Sequence, residues 1–375
     1  MMAKTNRKAM PAVRKNRIAR FRKELKKKRL AAALITNPTD YRYLTGFTGE
    51  DSALLVVPRQ IHLISDGRFD EAIHRECPWV TRWMRKGTLD EEIASVIVQL
   101  GLKRVGIQAD HVSVASLGAF GPKRGGAKFE HLPPILPGLR RIKDSDELKS
   151  MRQAIRVAEA SFLAMRETIR IGDTELALAA RLEYEMKCRG SANPAFPTIV
   201  AEGPHAALPH AHPGRRKVKR GSAILFDWGA RIDGYCSDLT RMVFVGSIPP
   251  RIGEIYEIVL AAQLKAIAAV RSGARLCDVD AAARLSIREA GYVREFNHAL
   301  GHGLGLDVHE SPRVSWQSRA GLEAGCLVTV EPGVYLPGVG GVRIEDDVLV
   351  TERGRRVLSR LEKTAAGSLI KAGLR

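Results

Sequence analysis

The chain has 375 residues, 45% of them hydrophobic, and a formal net charge of +19, which is apolar material for a large core and length enough to favour two domains. No run of about 18 apolar residues occurs, so no membrane span is expected, and the basic N-terminus lacks the apolar stretch of a secretory signal. Five scattered cysteines (Cys77, Cys188, Cys236, Cys277, Cys326) without a CxxC pair argue against a disulfide framework or thiolate zinc site and for a reducing, cytoplasmic setting.

The charge is concentrated at the start. Between Met1 and Arg29, thirteen Lys and Arg residues accompany the single Glu24. Ile18, Phe21 and Leu25 recur there at helical spacing, so the run reads as a basic tail, Met1–Asn16, leading into a helix with a solvated basic face. Nucleic acid is not expected as a partner. From Arg17 to about Arg140 helix and strand alternate, as in an α/β domain. The strand AAALIT (Ala31–Thr36) precedes a Pro/Asp turn, NPTD, and YRYLTGFTG; the strands ALLVV and IHLIS follow, then GIQAD after a further helical stretch. The Gly- and Pro-rich segment Gly121–Gly138 sets the boundary there or just after it, giving domains 17–140 and 141–375.

Beyond the boundary the period becomes helical. Leu148, Met151, Ile155, Ala158, Phe162, Met165 and Ile169 form one apolar stripe, and a second helix from about Thr174 stops at Gly190. An apolar hairpin follows, then helices over Ile252–Val270 and Val279–Ala290, then more strand-like sequence: an α+β domain. IGDTELALAARL (Ile171–Leu182) echoes RSGARLCDVDAAARL (Arg271–Leu285). Internal duplication and chance likeness of Ala-rich helices are equally open.

The hairpin FDWGARIDGYCSDLTR (Phe226–Arg241) turns at Asp233-Gly234, the pair that a type I′ turn prefers. That turn makes Ile232 face Tyr235, Gly229 face Asp238, and Asp227 face Thr240. Asp227 and Asp238 then share one face of the ribbon, about 7–8 Å apart at the backbone. Two acids on an apolar ribbon need positive charge between them; the ribbon supplies none on that face, and a divalent cation is the other solution. Downstream, HALGHGLGLDVHE (His298–Glu310) holds three histidines. LVTVEPGVY ends a strand at Glu331, and GVRIEDDVLV places Glu345 within a β-type run, with Arg343 on the same face. Glu345 among Val342, Ile344, Val348 and Val350 is either solvent-facing or coordinating, and each of these candidates taken singly is more often structural. Two Asp, two Glu and one His together suit Mn²⁺, Co²⁺ or Zn²⁺ pairs better than Ca²⁺.

The wording of DWGARIDGYCSDLTR, GHGLGLDVHE, TVEPGVY and GVRIEDDVLVT resembles the pita-bread metallopeptidases: aminopeptidase P, prolidase and methionine aminopeptidase. NPTDYRYLTGFTG resembles the creatinase-type N-terminal domain of the first two. The resemblance implies a creatinase-like α/β domain followed by an α+β pita-bread domain. It implies two divalent metal ions, Mn²⁺ foremost, with Asp227 on one, Asp238 and Glu345 bridging, and His302 and Glu331 on the other. A hydroxide shared by the metals would be the nucleophile and Glu331 the proton shuttle. His210, His298 and His309 would line the substrate cleft, with Arg343 beside the metal-binding glutamate. The implied activity is that of a Xaa-Pro aminopeptidase, with Xaa-Pro dipeptidase as the alternative, acting on peptides with proline second and forming a homodimer. The complete ligand set argues against a non-catalytic binding protein of this fold and against metal-free creatinase-like hydrolysis.

Overall fold

The computed structural model describes residues 9–120 and 127–371, so Met1–Lys8 of the expected tail and Gly121–Gly126 of the Gly/Pro segment lie outside the described residues. The chain divides into two compact units, one ending at Arg140 and one starting at Arg141.

The first unit contains α1 (Ala12–Lys27), β1 (Ala33–Ile35), α2 (Pro38–Thr45), β2 (Ala53–Val56), β3 (Ile61–Ser65), α3 (Asp70–Glu76), β4 (Thr81–Met84), α4 (Leu89–Gln99), β5 (Arg104–Ile107), α5 (Val114–Phe120), β6 (Lys128–His131) and α6 (Ile135–Arg140). Its six-stranded sheet runs β4-β3-β2-β1-β5-β6. Every residue of β1, β2 and β3 is buried, which is why these strands read as unbroken apolar runs instead of alternating ones.

Three expectations change here. Helix α1 starts at Ala12, and Arg14 Nη1 donates to the Tyr43 carbonyl at 2.7 Å, so residues 12–16 belong to the folded unit and not to a tail. NPTD opens a helix: Asn37 caps α2 by accepting from the Thr39 N–H, and Pro38 takes a first-turn place where no N–H is needed. The Gly/Pro-rich segment holds β6 and α6, whose Leu136 and Leu139 are buried in the first unit.

The second unit begins with α7 (Ser145–Arg166) and α8 (Glu175–Cys188), then β7 (Ile199–Glu202), β8 (Ala223–Trp228), β9 (Arg231–Ile232), β10 (Tyr235–Cys236) and β11 (Leu239–Val245). Helices α9 (Pro250–Ala269) and α10 (Leu276–Glu289) precede β12 (Gly301–Gly303), β13 (Glu310–Val314), β14 (Leu327–Val330), β15 (Gly333–Leu336), β16 (Gly340–Arg343), β17 (Asp346–Thr351), β18 (Gly354–Val357) and β19 (Leu369–Ile370). Two larger sheets form, β19-β11-β8-β7 and β13-β12-β14-β17-β18, besides the ribbons β9-β10 and β15-β16. The β8 and β11 strands are buried on both faces. Ile224, Phe226, Trp228 and Val243 pack with α7 and α8, where the Trp228 ring stacks on Phe162 at 4.4 Å. Ala223, Leu225, Met242 and Phe244 pack with α9 and α10.

Turn chemistry sets the register of this hairpin. Asp233 (φ 50°) and Gly234 (φ 87°) occupy the left-handed region, Tyr235 pairs with Ile232, and Thr240 pairs with Asp227. Asp227 and Asp238 therefore lie on the Leu225/Met242 face. The two echoing segments also take corresponding places. Thr174 and Arg275 precede α8 and α10, and each forms an isolated bridge, to Lys217 and to Gly321.

Backbone approaches side-chain space closely at Gly229, where a Cβ would lie 1.9 Å from the Ser237 carbonyl oxygen. Gly229→Ala is expected to lower stability by about 3 kcal/mol, the upper range for overpacking, read as a lower urea midpoint. An unchanged midpoint would show that the hairpin is not held at this approach.

Candidate metal and catalytic site

All nine residues singled out from the sequence line one cavity of about 640 Å³. They arrive from separate elements: Asp227 on β8, Asp238 just before β11, His302 on β12, Glu331 just after β14, and Arg343 at the end of β16. Glu345 departs from expectation. It does not sit inside one strand: the chain leaves the β15–β16 ribbon at Arg343 and enters the five-stranded sheet at Asp346, with Glu345 in the crossover. Freed from a ladder on both sides, Glu345 turns toward β11, where its Oε2 accepts from Thr240 Oγ1 at 2.6 Å.

Ligand atoms of Asp238, His302 and Glu345 lie within 4.8 Å of one another. Glu331 joins through His302, whose Nε2 is 3.2 Å from Glu331 Oε1 and 3.5 Å from Asp238 Oδ2. The His302 ring is oriented by its Nδ1, which donates to the Gly303 carbonyl at 3.0 Å and leaves Nε2 facing the acids. Asp227 sits to one side of this group. Its Oδ2 accepts from Arg343 Nη2 at 2.6 Å, so the positive charge that the ribbon itself lacks comes from another strand.

Arg343 is buried with every nitrogen engaged. Nε donates to Thr240 Oγ1 at 3.0 Å, and Nη1 donates to the Tyr335 hydroxyl at 2.7 Å and the Pro209 carbonyl at 3.3 Å. Tyr335 in turn lies 3.0 Å from His298 Nε2, while His298 Nδ1 reaches the Ala299 carbonyl at 2.8 Å. Both His298 nitrogens are thus occupied; it supports Tyr335 and Arg343 and offers no free nitrogen to a cleft-bound molecule. The His309 and His302 rings meet edge to face, centroids 4.4 Å apart, and His210 also lines the cavity. Behind the wall, the Arg284 guanidinium holds the Phe296 and His298 carbonyls and pairs with buried Asp280, which also accepts the Leu300 N–H.

Tyr335, Thr240, Thr329 and Asp347 are the residues that sequence reasoning missed. Thr329 donates to Glu331 Oε1 at 3.1 Å, and Asp347 accepts the Asp238 N–H at 3.3 Å. Thr240 was within reach, since the hairpin register places it opposite Asp227; the others carry no local signal.

Charge is poorly balanced in the metal-free chain. Burial, then the neighbouring Glu345 and Asp227 charges, hold the Asp238 carboxyl well above the usual range; burial and Glu331 do the same for Glu345. Burial also raises Asp227, against the pull of Arg343. Glu331 is the opposite case: burial would raise it, but the His302 hydrogen bond and charge bring it down to about 2. Asp227 Oδ1 and Glu345 Oε1 are buried without a hydrogen-bond partner among the described residues. Orphaned carboxylate oxygens beside an imidazole nitrogen fit a hard or borderline divalent cation.

A carboxyl whose folded pKa is raised binds protons more tightly folded than unfolded. Its contribution to stability is complete below the unfolded value, about 4, and disappears as pH rises through the folded value. Asp227, Asp238 and Glu345 all act in this sense, while Glu331 acts oppositely, its contribution being lost as pH falls from about 4.5 through about 2. The metal-free protein is therefore expected to lose thermal stability as pH rises from about 4 toward 8. Added divalent cation should restore it at the upper end. A melting temperature that is flat with pH and indifferent to cation would contradict this charge balance.

Residues 149–352 match the family described as metallopeptidase family M24, and residues 17–142 match the creatinase/prolidase N-terminal domain. A Xaa-Pro dipeptidase of Pyrococcus horikoshii is 40% identical over 263 residues, 70% of this chain and 75% of that protein. Among solved structures, a Xaa-Pro dipeptidase from Bacillus anthracis superposes with a TM-score of 0.90 at 34% identity, covering 94% of this chain and 99% of that one. An X-Pro aminopeptidase from Thermotoga maritima gives 0.84 at 36% identity, covering 89% and 96%. The fold is thus a creatinase-type N-terminal domain followed by a pita-bread domain, and with residues 149–352 matched and the two solved relatives covered to 99% and 96%, the chain belongs to metallopeptidase family M24, which implies divalent metal ions.

Proposed function

We propose that this protein is a Xaa-Pro exopeptidase that binds two divalent cations, Mn²⁺ foremost with Co²⁺ and Zn²⁺ as alternatives, through Asp227, Asp238, His302, Glu331 and Glu345. The observation that carries the reading is the convergence of Asp238, His302 and Glu345 beside two unpartnered buried carboxylate oxygens in one cavity. When bound, such cations supply a nucleophilic oxygen near neutral pH and polarise the scissile carbonyl.

The chain's own residues supply the rest. Arg343 offsets the Asp227 charge and fixes that carboxylate's orientation. Glu331 accepts a proton and returns it to the proline nitrogen as that amine leaves. His210 and His309 offer ring nitrogens to the substrate carbonyl as charge develops on it. Phe196, Pro197 and Val308 give the cavity an apolar side suited to a pyrrolidine ring.

Substrate length turns on Arg313. This residue faces His302 across the β12–β13 ladder and lines the cavity, and its guanidinium forms no hydrogen bond or ion pair with the side chains or carbonyls of the other described residues. A free guanidinium at that place suits a terminal carboxylate, which a dipeptide presents one residue beyond the scissile bond. This favours the Xaa-Pro dipeptidase over the aminopeptidase that the sequence reading preferred. The five free cysteines agree with a reducing, cytoplasmic setting. A homodimer completes the proposal, and sedimentation velocity at micromolar concentration reads it.

Hydrolysis of Xaa-Pro dipeptides and Xaa-Pro-Xaa tripeptides, with and without added Mn²⁺, is the direct test. Metal-dependent cleavage favouring the dipeptide is expected, and Asp238→Asn should abolish it. Cleavage of neither peptide by metal-loaded protein would sink the reading. Arg313→Met should raise KM for the dipeptide by about tenfold or more while leaving kcat nearly intact, as for loss of a binding contact. An equal effect on the tripeptide would remove Arg313 as the length determinant.

A further inference from the structure

Glu175, the first residue of α8, is fully buried, and among the described residues its only ion-pair partner is a histidine. Its Oε1 accepts the Glu202 N–H at 2.7 Å and its Oε2 the Gly214 N–H at 2.8 Å, so one carboxylate ties both ends of the 202–214 loop. His205 Nδ1, from within the loop, lies 2.9 and 3.0 Å from the two oxygens. The helix backbone adds a bond from the Leu176 N–H to the Gly214 carbonyl at 3.1 Å.

Between these anchors the loop carries Pro209, His210, Ala211 and His212, all on the cavity wall. It also carries the Pro209 carbonyl that accepts from Arg343. The loop lies backbone to backbone on β16: a Cβ at Gly341 would sit 2.1 Å from the Ala206 oxygen. Glu175 itself is absent from the cavity lining. It acts at a distance, through the loop.

We propose that Glu175 and His205 form a positioning latch that holds the 202–214 loop, and with it His210, at the wall of the active site. Its consequence for catalysis rests on the peptidase reading above; its consequence for the loop does not. A carboxylate only accepts, and here it meets three N–H donors. A glutamine in its place carries donors of its own, so one of its atoms must turn an N–H toward the Glu202 or Gly214 amide and release that end.

The test compares Glu175→Gln and His205→Ala with His205→Asn, whose side-chain amide keeps a donor close to the Nδ1 position. Amide hydrogen exchange over residues 203–213, divalent metal content, and kinetics on a Xaa-Pro dipeptide are measured on the full chain. In the first two variants, exchange across the loop is expected to rise on the order of tenfold while the helices stay protected and metal content is unchanged. Their kcat/KM should fall about tenfold, with little further loss when combined with His210→Ala. His205→Asn should behave like the parent. Unchanged loop exchange, effects fully additive with His210→Ala, or a loss traced to metal content would each overturn the latch. Should the parent cleave no Xaa-Pro peptide, loop exchange still decides the latch, and only the peptidase reading falls.

Discussion

Four carboxylates, those of Asp227, Asp238, Glu331 and Glu345, share one largely buried cavity with too little positive charge to balance them. Repulsion among acids a few ångströms apart in a poorly solvated space is severe, and much of the surrounding architecture answers it. Arg343 neutralises Asp227, and His302 neutralises Glu331. Asp238 and Glu345 remain, held near one another and near the imidazole nitrogen, with their carboxyls pushed toward the protonated form. A cation is the economical answer to such a geometry, because it removes the repulsion and satisfies the orphaned oxygens at once.

Holding that arrangement requires a rigid frame. The β8–β11 hairpin is sandwiched between two separate apolar clusters, one formed with α7 and α8 and the other with α9 and α10. Neither aspartate can slide relative to the other without shifting Trp228 off Phe162 or Phe244 off Tyr256. Behind Glu345, Arg241 donates to the Thr240 and Glu345 carbonyls and pairs with Asp346, which also meets Gln263 and Lys363. This second polar layer is buried and well supplied with donors, so it locks the crossover that aims Glu345 inward.

The relatives include enzymes named as dipeptidases and as aminopeptidases at similar identity, so overall likeness does not separate the two. In the proposed reading, the difference lies at the cavity rim. There Arg313 is an exposed cation in a cavity also lined by the Asp227, Asp238, Glu331 and Glu345 carboxylates. Its position opposite His302 in the ladder places it on the His302 side of the sheet.

Local rules carried the sequence reading furthest where geometry is local. A tight Asp-Gly turn and a side-chain period of two were enough to pair Thr240 with Asp227 and to bring Asp238 onto the same face. Motif wording identified the remaining acids and histidines, since these residue types at these spacings recur in one family. Asn37-Pro38 was equally local, a helix start that was read as a turn. What stayed out of reach depends on partners more than a hundred positions apart: Arg343 on Asp227, Thr240 on Glu345, and the change of sheet at Glu345. The use of both His298 nitrogens and the tie from Glu175 to the His210 loop are likewise decided by packing. Spacing along a chain encodes turns, faces and ligand types, whereas the partner that neutralises a buried charge is chosen only when separate strands are brought together.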